Sequence, residues 1–299
     1  MSGMRVLDID DQGRLLIAVT DGDRRRLVEA GGKGAAGELT AATDLTAARY
    51  LPGERKVVVQ HGDPGQLSLL KIGGRLRPLV GSPTHATELL AVLPGRIVYR
   101  TNRKHRLLYT VAIRNVLVGE EVAVYDRGGA VLEAAVSPNS RYIAIRLPRK
   151  LVLVDTMPVT EDDHVRLISP EPAERGRRNL RWLPDSTRLV ATEYEADTAR
   201  VVRYDVASES WHPVVVSLAA DTTGWVAPDG RRVAVASANR LAFHQTENGR
   251  FLRAAELPAE ITEDGFLWSP DSRAVAATTA TGEIVRVTAD SAGVETVSA

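Results

Sequence analysis

Cysteine is absent from the 299 residues, which excludes disulfides, thiolate metal sites and a cysteine nucleophile and fits a reducing compartment. Excess charge is lacking too. Thirty-eight Lys and Arg balance 38 Asp and Glu, so the chain has none of the broad positive field that non-specific binding to nucleic acid or anionic membrane uses. No stretch approaches the roughly 18 uncharged apolar residues of a membrane span, and the opening Met1-Ser-Gly-Met-Arg-Val-Leu-Asp lacks the apolar run of a secretory signal. The expectation is a cytoplasmic protein, monomeric alone, that meets neither nucleic acid nor membrane and recognises charged partners through local patches. With 44% apolar and 25% charged residues, the chain can fold around a sizeable core.

Catalytic signatures are missing as well. No serine sits in a Gly-x-Ser-x-Gly elbow. The six histidines (His61, His85, His105, His164, His212 and His244) are scattered and never at ligand spacing. Asp8-Ile-Asp10-Asp-Gln12-Gly13 imitates the start of a calcium loop, but its twelfth position is Val19 where a bidentate Glu is needed. Gly31-Gly-Lys-Gly34 is not followed by the Gly-Lys-Ser/Thr of a phosphate loop and reads as a connection. Asp162-Asp-His164 reads as a solvated turn.

What the sequence does contain is a repeated phrase: a short apolar run, a Pro-Asp-Gly-like turn, one or two polar residues and a second apolar run. Examples are Ser137-Pro-Asn-Ser-Arg-Tyr-Ile-Ala-Ile, Leu183-Pro-Asp-Ser-Thr-Arg-Leu-Val-Ala and Ala227-Pro-Asp-Gly-Arg-Arg-Val-Ala-Val. Aligned on Asp11, Pro52, Pro94, Pro138, Pro184, Pro228 and Pro270, seven copies step by 41, 42, 44, 46, 44 and 42 residues. Pro presets the first turn dihedral, Asp or Asn bonds back to the backbone, and Gly or Ser takes the tight corner. Each unit then offers two more strands, as in Ala199-Arg-Val-Val-Arg-Tyr-Asp and Trp211-His-Pro-Val-Val-Val.

Four strands per unit make a propeller blade. The fold class read from the sequence is all-β: a seven-bladed β-propeller of four-stranded antiparallel blades in one domain. The blades fall near 4–43, 44–86, 87–131, 132–177, 178–220, 221–262 and 263–299. Because the units begin and end in phase, no strand exchange closes the ring, and only side-chain packing between blades one and seven is expected to hold it shut. Trp182 and Trp268 lie two residues before the repeat proline and Trp225 three before. All three read as core, and the offset of Trp225 predicts a bulge beside Ala227.

The turn phrase resembles the TolB-like family of propeller repeats. The stretch from Gly95-Arg-Ile-Val-Tyr through Glu120-Glu-Val-Ala-Val-Tyr to Glu133-Ala-Ala-Val-Ser-Pro-Asn-Ser is similar, more narrowly, to the propeller preceding the hydrolase domain of prolyl oligopeptidase-family enzymes. The resemblance implies architecture and transfers no catalytic residue, since the hydrolase half is absent from this chain.

Residues preceding each innermost strand should ring the channel mouth: Asp44, Glu88, Glu133, Arg178, Asp221, Glu263 and Asp264. Carboxylates converging there would favour a cationic guest, a metal ion or a basic segment of a partner, unless they are simply solvated loop residues. Basic runs occur at Arg24-Arg-Arg26, Arg103-Lys-His-Arg106 and Arg175-Gly-Arg-Arg178. They read as solvated surface, with Arg175, Arg177 and Arg178 placed in an interblade loop open to an acidic protein partner. The leading functional expectation is a non-catalytic scaffold that binds a protein or peptide. The alternatives are a small enzyme or sensor using the channel, and a detached gate acting in trans with a hydrolase.

Overall fold

The computed structural model describes residues 3–31, 37–42, 44–159, 164–170, 175–219 and 221–297, among which there are 28 strands and no α-helix. The chain divides into two compact units, one of residues 1–129, 264–287 and 295–299, the other of residues 130–263 and 288–294.

The first unit contains three whole sheets and most of a fourth. These are β1 (Gly3–Ile9), β2 (Leu15–Asp21), β3 (Arg24–Ala30) and β4 (Gly37–Ala42); β5 (Ala47–Tyr50), β6 (Lys56–His61), β7 (Gln66–Lys71) and β8 (Leu76–Val80); and β9 (Thr87–Leu93), β10 (Arg96–His105), β11 (Leu108–Asn115) and β12 (Glu121–Tyr125). The second unit contains β13 (Glu133–Val136), β14 (Tyr142–Leu147), β15 (Lys150–Asp155) and β16 (Val165–Pro170); β17 (Arg175–Trp182), β18 (Arg188–Glu195), β19 (Thr198–Asp205) and β20 (Ser210–Ala219); and β21 (Thr223–Val226), β22 (Arg232–Ser237), β23 (Arg240–Gln245) and β24 (Phe251–Glu256). The last sheet, lying mostly in the first unit, is β25 (Ile261–Trp268), β26 (Ala274–Thr279), β27 (Ile284–Thr288) and β28 (Val294–Val297). Every sheet pairs its four strands in chain order. Seven such antiparallel meanders are the blades of a seven-bladed β-propeller.

The repeated turn explains why these strands form where they do. Its corner residue sits at positive φ in all seven blades: Gly13 (74°), Gly53 (75°), Gly95 (66°), Ser140 (61°), Ser186 (60°), Gly230 (72°) and Ser272 (60°). An L side chain in this region carries a steric cost that Gly avoids. Ser140→Gly should therefore stabilise the fold by about 0.5–1 kcal/mol, read as a rise in the thermal midpoint. Ser186→Gly should gain less, because Ser186 Oγ accepts the Asn139 N–H at 3.0 Å and that bond would be lost.

The innermost strand of each blade is an edge strand, with N–H groups that its own sheet leaves unpaired. Five blades meet this need with a side-chain oxygen from the preceding blade. Val6 N–H donates to Thr278 Oγ1 (3.0 Å), Tyr50 N–H to Asp8 Oδ2 (2.7 Å), Leu89 N–H to Gln60 Oε1 (2.8 Å), Leu180 N–H to Glu133 Oε1 (2.8 Å) and Gly224 N–H to Thr192 Oγ1 (3.0 Å). Apolar clusters pack the same junctions. Leu7, Leu16 and Leu27 meet Ala48, Val57 and Leu70 in the first unit, and Ala144, Leu151 and Leu153 meet Leu180, Leu189 and Tyr204 in the second.

Two expectations need correction. Blades one and seven exchange no strand, but side chains are not all that joins them: besides Val6 N–H, Met4 N–H donates to Gly282 O at 3.2 Å, beside a cluster of Val6, Ile17, Ala276 and Ile284. Nor is there a bulge beside Ala227. Trp225 pairs with Ala234 and Val226 with Val233 in unbroken register, and the Ala227 N–H to Arg232 O bond (2.8 Å) matches Leu183 N–H to Arg188 O (2.8 Å) one blade earlier. Val226 thus holds the position that Trp182 holds in its blade, and Trp225 points to the opposite face of its strand. Trp182, Trp225 and Trp268 are all buried.

Candidate functional site

Two concave features of the second unit are lined by described residues. The larger is a groove of about 440 Å³ between the fourth and fifth blades, lined by Arg141, Tyr142, Asp155, Val159, Arg166, Thr187, Val206 and Ala207. It lies at the ends of β14, β15 and β19 that carry the repeat turns. One wall is a stack: the Arg141 guanidinium lies 5.0 Å from the Tyr142 ring centre, and Tyr142 stacks on Trp182 at 5.8 Å with 19° between planes. Trp182 is itself fixed by donating Nε1–H to Ala135 O at 3.0 Å.

Arg141 is aimed by Asp155, which takes Nη2–H at 3.0 Å and also accepts the Met157 N–H at 2.9 Å. Burial alone would raise the Asp155 carboxyl, but these hydrogen bonds outweigh it and hold the group below the usual carboxylate range. Arg166 pairs with Glu209, whose side chain is 60% exposed, and its charge also helps to keep the Asp155 carboxyl low. The lining includes an open apolar side chain, Val159, which is 90% exposed, and Met157, two residues earlier in the chain, is 71% exposed. A fixed aromatic and guanidinium wall beside exposed aliphatic groups is the composition of protein-recognition surfaces.

The smaller feature is a recess of about 210 Å³ lined by Asp221, Thr223, Trp225, Ala236, Ser237, Ala238, Glu260 and Ile261. Its two carboxylates are exposed, and the buried Thr223 is held by the Tyr194 hydroxyl at 2.9 Å. Two carboxylates beside an indole suit a cation.

Of the residues assigned from sequence to a channel mouth, Asp44 and Asp221 precede their innermost strands and are exposed. Glu88, Glu133, Arg178, Glu263 and Asp264 instead lie inside β9, β13, β17 and β25, because backbone pairing begins earlier than the hydrophobic pattern does. Glu88 faces Arg100 directly across the β9–β10 pair and is ion-paired with it. Glu133 faces Arg146, with a 3.4 Å contact, while its other oxygen caps Leu180. These two carboxylates are thus compensated within the chain. The side chains of Glu263 and Asp264 fall outside the described residues.

Arg175, Arg177 and Arg178 occupy β17 and not an interblade loop. Arg177 pairs with the buried Glu193 and lies 4.3 Å from the centre of Trp211, and Arg178 lies over Tyr194 at 5.4 Å; the Arg175 side chain is outside the described residues. The calcium-like stretch has structural duties: Asp10 accepts the Gln12 and Arg14 N–H groups at 3.0 and 2.8 Å, and Asp8 caps Tyr50. Burial is the largest influence on the Asp8 carboxyl and pushes it up. Residues 32–34 of the glycine-rich stretch, and Asp162 and Asp163, lie outside the described residues. Among the described residues no three His, Asp or Glu side chains gather as a metal site. Sequence reasoning missed Arg141, Tyr142, Val159, Arg166 and Glu260. Arg141 and Tyr142 directly follow a repeat turn, and that position was the one available signal.

No protein-family model and no curated protein sequence matches this chain. Solved structures do. Oligogalacturonate lyase in complex with manganese superposes with a TM-score of 0.75 at 12% identity, covering 95% of this chain and 89% of that one. Puromycin hydrolase complexed with PGG gives a TM-score of 0.75 at 17% identity, covering 98% of this chain and 53% of that one. TolB from Acinetobacter baumannii gives 0.57 at 14% identity, covering 83% and 65%. This chain therefore spans about half the length of the hydrolase. At these identities the likeness establishes the fold, a seven-bladed propeller similar to TolB and to the propellers of prolyl-endopeptidase-type enzymes.

Proposed function

We propose that this chain is a non-catalytic binding module that recognises an extended segment of a protein or peptide. The observation that carries the proposal is the groove between blades four and five. Its Arg141–Tyr142–Trp182 stack is fixed before any partner arrives, so little ordering cost falls on association. Val159 and Met157 lose solvent-exposed apolar surface when covered, and Arg166 can exchange its solvated partner Glu209 for a carboxylate of the bound segment.

The test is affinity capture from the source lysate with native mass spectrometry, using the unaltered protein beside Val159→Asp and Arg166→Glu. Each substitution is expected to weaken retention of a stoichiometric protein partner by about tenfold or more while the thermal midpoint stays put. Equal retention by the variants, or a bound metabolite in place of a protein, overturns the proposal.

A second reading draws on the likeness of fold to puromycin hydrolase: a gate acting in trans with a hydrolase, for which the same groove would be the contact. Oligogalacturonate lyase is described in complex with manganese; among the described residues here no three His, Asp or Glu side chains gather as a metal site, so neither reading assigns manganese ligands to this chain.

A further inference from the structure

In the first unit, the hairpin joining β10 to β11 presents six consecutive exposed residues, Arg103-Lys-His-Arg-Leu-Leu108. β10 is 10 residues long, and its pairing with β9 ends at Thr101 opposite Thr87, so residues 102–105 run on past the end of that neighbour. An extension of this kind would fray in water unless something held it.

Asn102 holds it. Its Oδ1 accepts the Ala86 N–H at 2.8 Å and its Nδ2 donates to Arg106 O at 2.9 Å. Leu107 N–H donates to His105 Nδ1 at 3.2 Å. The 126–129 segment packs alongside: Lys104 Nζ is 3.4 Å from Asp126, Tyr109 N–H donates to Gly129 O at 3.1 Å, and a Cβ at Gly128 would touch Leu108 Cδ2 at 3.3 Å. The tip is a preformed shape. It leaves Leu107 74% and Leu108 44% exposed, apolar surface that folding has not used.

The charge around these leucines is one-sided. Arg103 is tied to Glu121 and Lys104 to Asp126, but Arg106 and the neighbouring exposed Arg127 have no carboxylate in ion-pair contact among the described residues. Glu121 is moreover shared with Arg114 at 3.4 Å, so the two carboxylates Glu121 and Asp126 are already engaged by Arg103, Arg114 and Lys104. Opposite charge on a partner would be drawn to this tip and held there by the leucines.

We infer that the β10–β11 tip is a docking site for an acidic, leucine-bearing segment of a partner protein. An anionic membrane fits less well, since the chain as a whole balances 38 cations with 38 anions and an interfacial anchor draws on a wider basic and apolar face. The site lies in the first unit and is independent of the groove.

The experiment is fluorescence anisotropy of a labelled glutamate-leucine peptide on the full chain. A lysine-leucine peptide and vesicles containing phosphatidylserine serve as comparisons, with sedimentation velocity run in parallel. The acidic peptide should bind at least about tenfold more tightly than the basic one and weaken as salt rises. The double variant Arg106→Glu/Arg127→Glu should lose about tenfold in affinity and Leu107→Ser about threefold, both with the thermal midpoint unchanged. Val159→Asp in the groove should bind the peptide normally. Equal affinity for the two peptides, unaltered affinity in the variants, binding to vesicles without binding to peptide, or self-association that Leu107→Ser abolishes in place of peptide binding would each overturn the inference.

Discussion

Glu193→Ala is expected to cost about 3–5 kcal/mol of stability, measured by urea unfolding at neutral pH. Glu193 is 3% exposed and lies on β18 between two arginines that face it directly in the strand register, Arg177 on β17 and Arg200 on β19. It is ion-paired with both. Arg177 is itself largely buried, with a side chain 14% exposed, pressed against Trp211 and bonded to Ser169. Removing the carboxylate takes from this guanidinium its buried ion-pair partner, 3% exposed, whereas Arg200, 41% exposed, can keep Glu195. The apolar double variant Arg177→Met/Glu193→Leu should recover most of the loss, because it removes both charges of the buried pair together. A loss below about 1 kcal/mol for Glu193→Ala would mean that Arg177 swings to water and that the pair is only a surface bridge.

Thr192→Val is expected to destabilise by about 2–4 kcal/mol despite its matched shape. Thr192 is fully buried, and its hydroxyl bonds twice to Gly224 of the next blade, accepting the N–H at 3.0 Å and donating to the carbonyl at 3.2 Å. Valine would leave both backbone groups without a partner inside a dry junction. Water cannot easily replace the hydroxyl, for the strands approach so closely that a Cβ on Gly224 would lie 2.5 Å from Val201 Cγ2. Thr192→Ser should retain nearly all the stability, since it keeps the hydroxyl and loses one methyl group. If serine and valine cost the same, the methyl contact rather than the hydroxyl latch carries the junction.

The two substitutions mark the boundary of what could be read beforehand. Trp182 and Trp268 could be assigned to the core because a large apolar residue two places before a turn proline has one sheet face available, and both are buried. Trp225 misled: a one-residue offset in sequence is compatible with a bulge or with a side chain on the other face, and only the paired backbone distinguishes them. Thr192 and Glu193 gave no signal, because their partners lie on a neighbouring strand or blade. Glu88 and Glu133 were legible as carboxylates near the starts of strands, but not as partners of Arg100 and Arg146, which sit opposite them only once the register is fixed.

By itself the sequence determined the number of blades, the strands in each and the place of every repeat turn, because these follow from local rules: alternation of apolar residues, and a corner that Pro, Asp and Gly or Ser each make easier. It also determined that no cysteine chemistry is available. The tertiary structure alone decided which charges are neutralised at home and which face water, placing Arg177 in a buried network while Arg106 and Arg127 stay open. It alone built the groove from residues as far apart as Arg141 and Ala207. The reason is physical. A turn is written in four adjacent residues, whereas a surface is written by side chains that meet only after separate blades have packed.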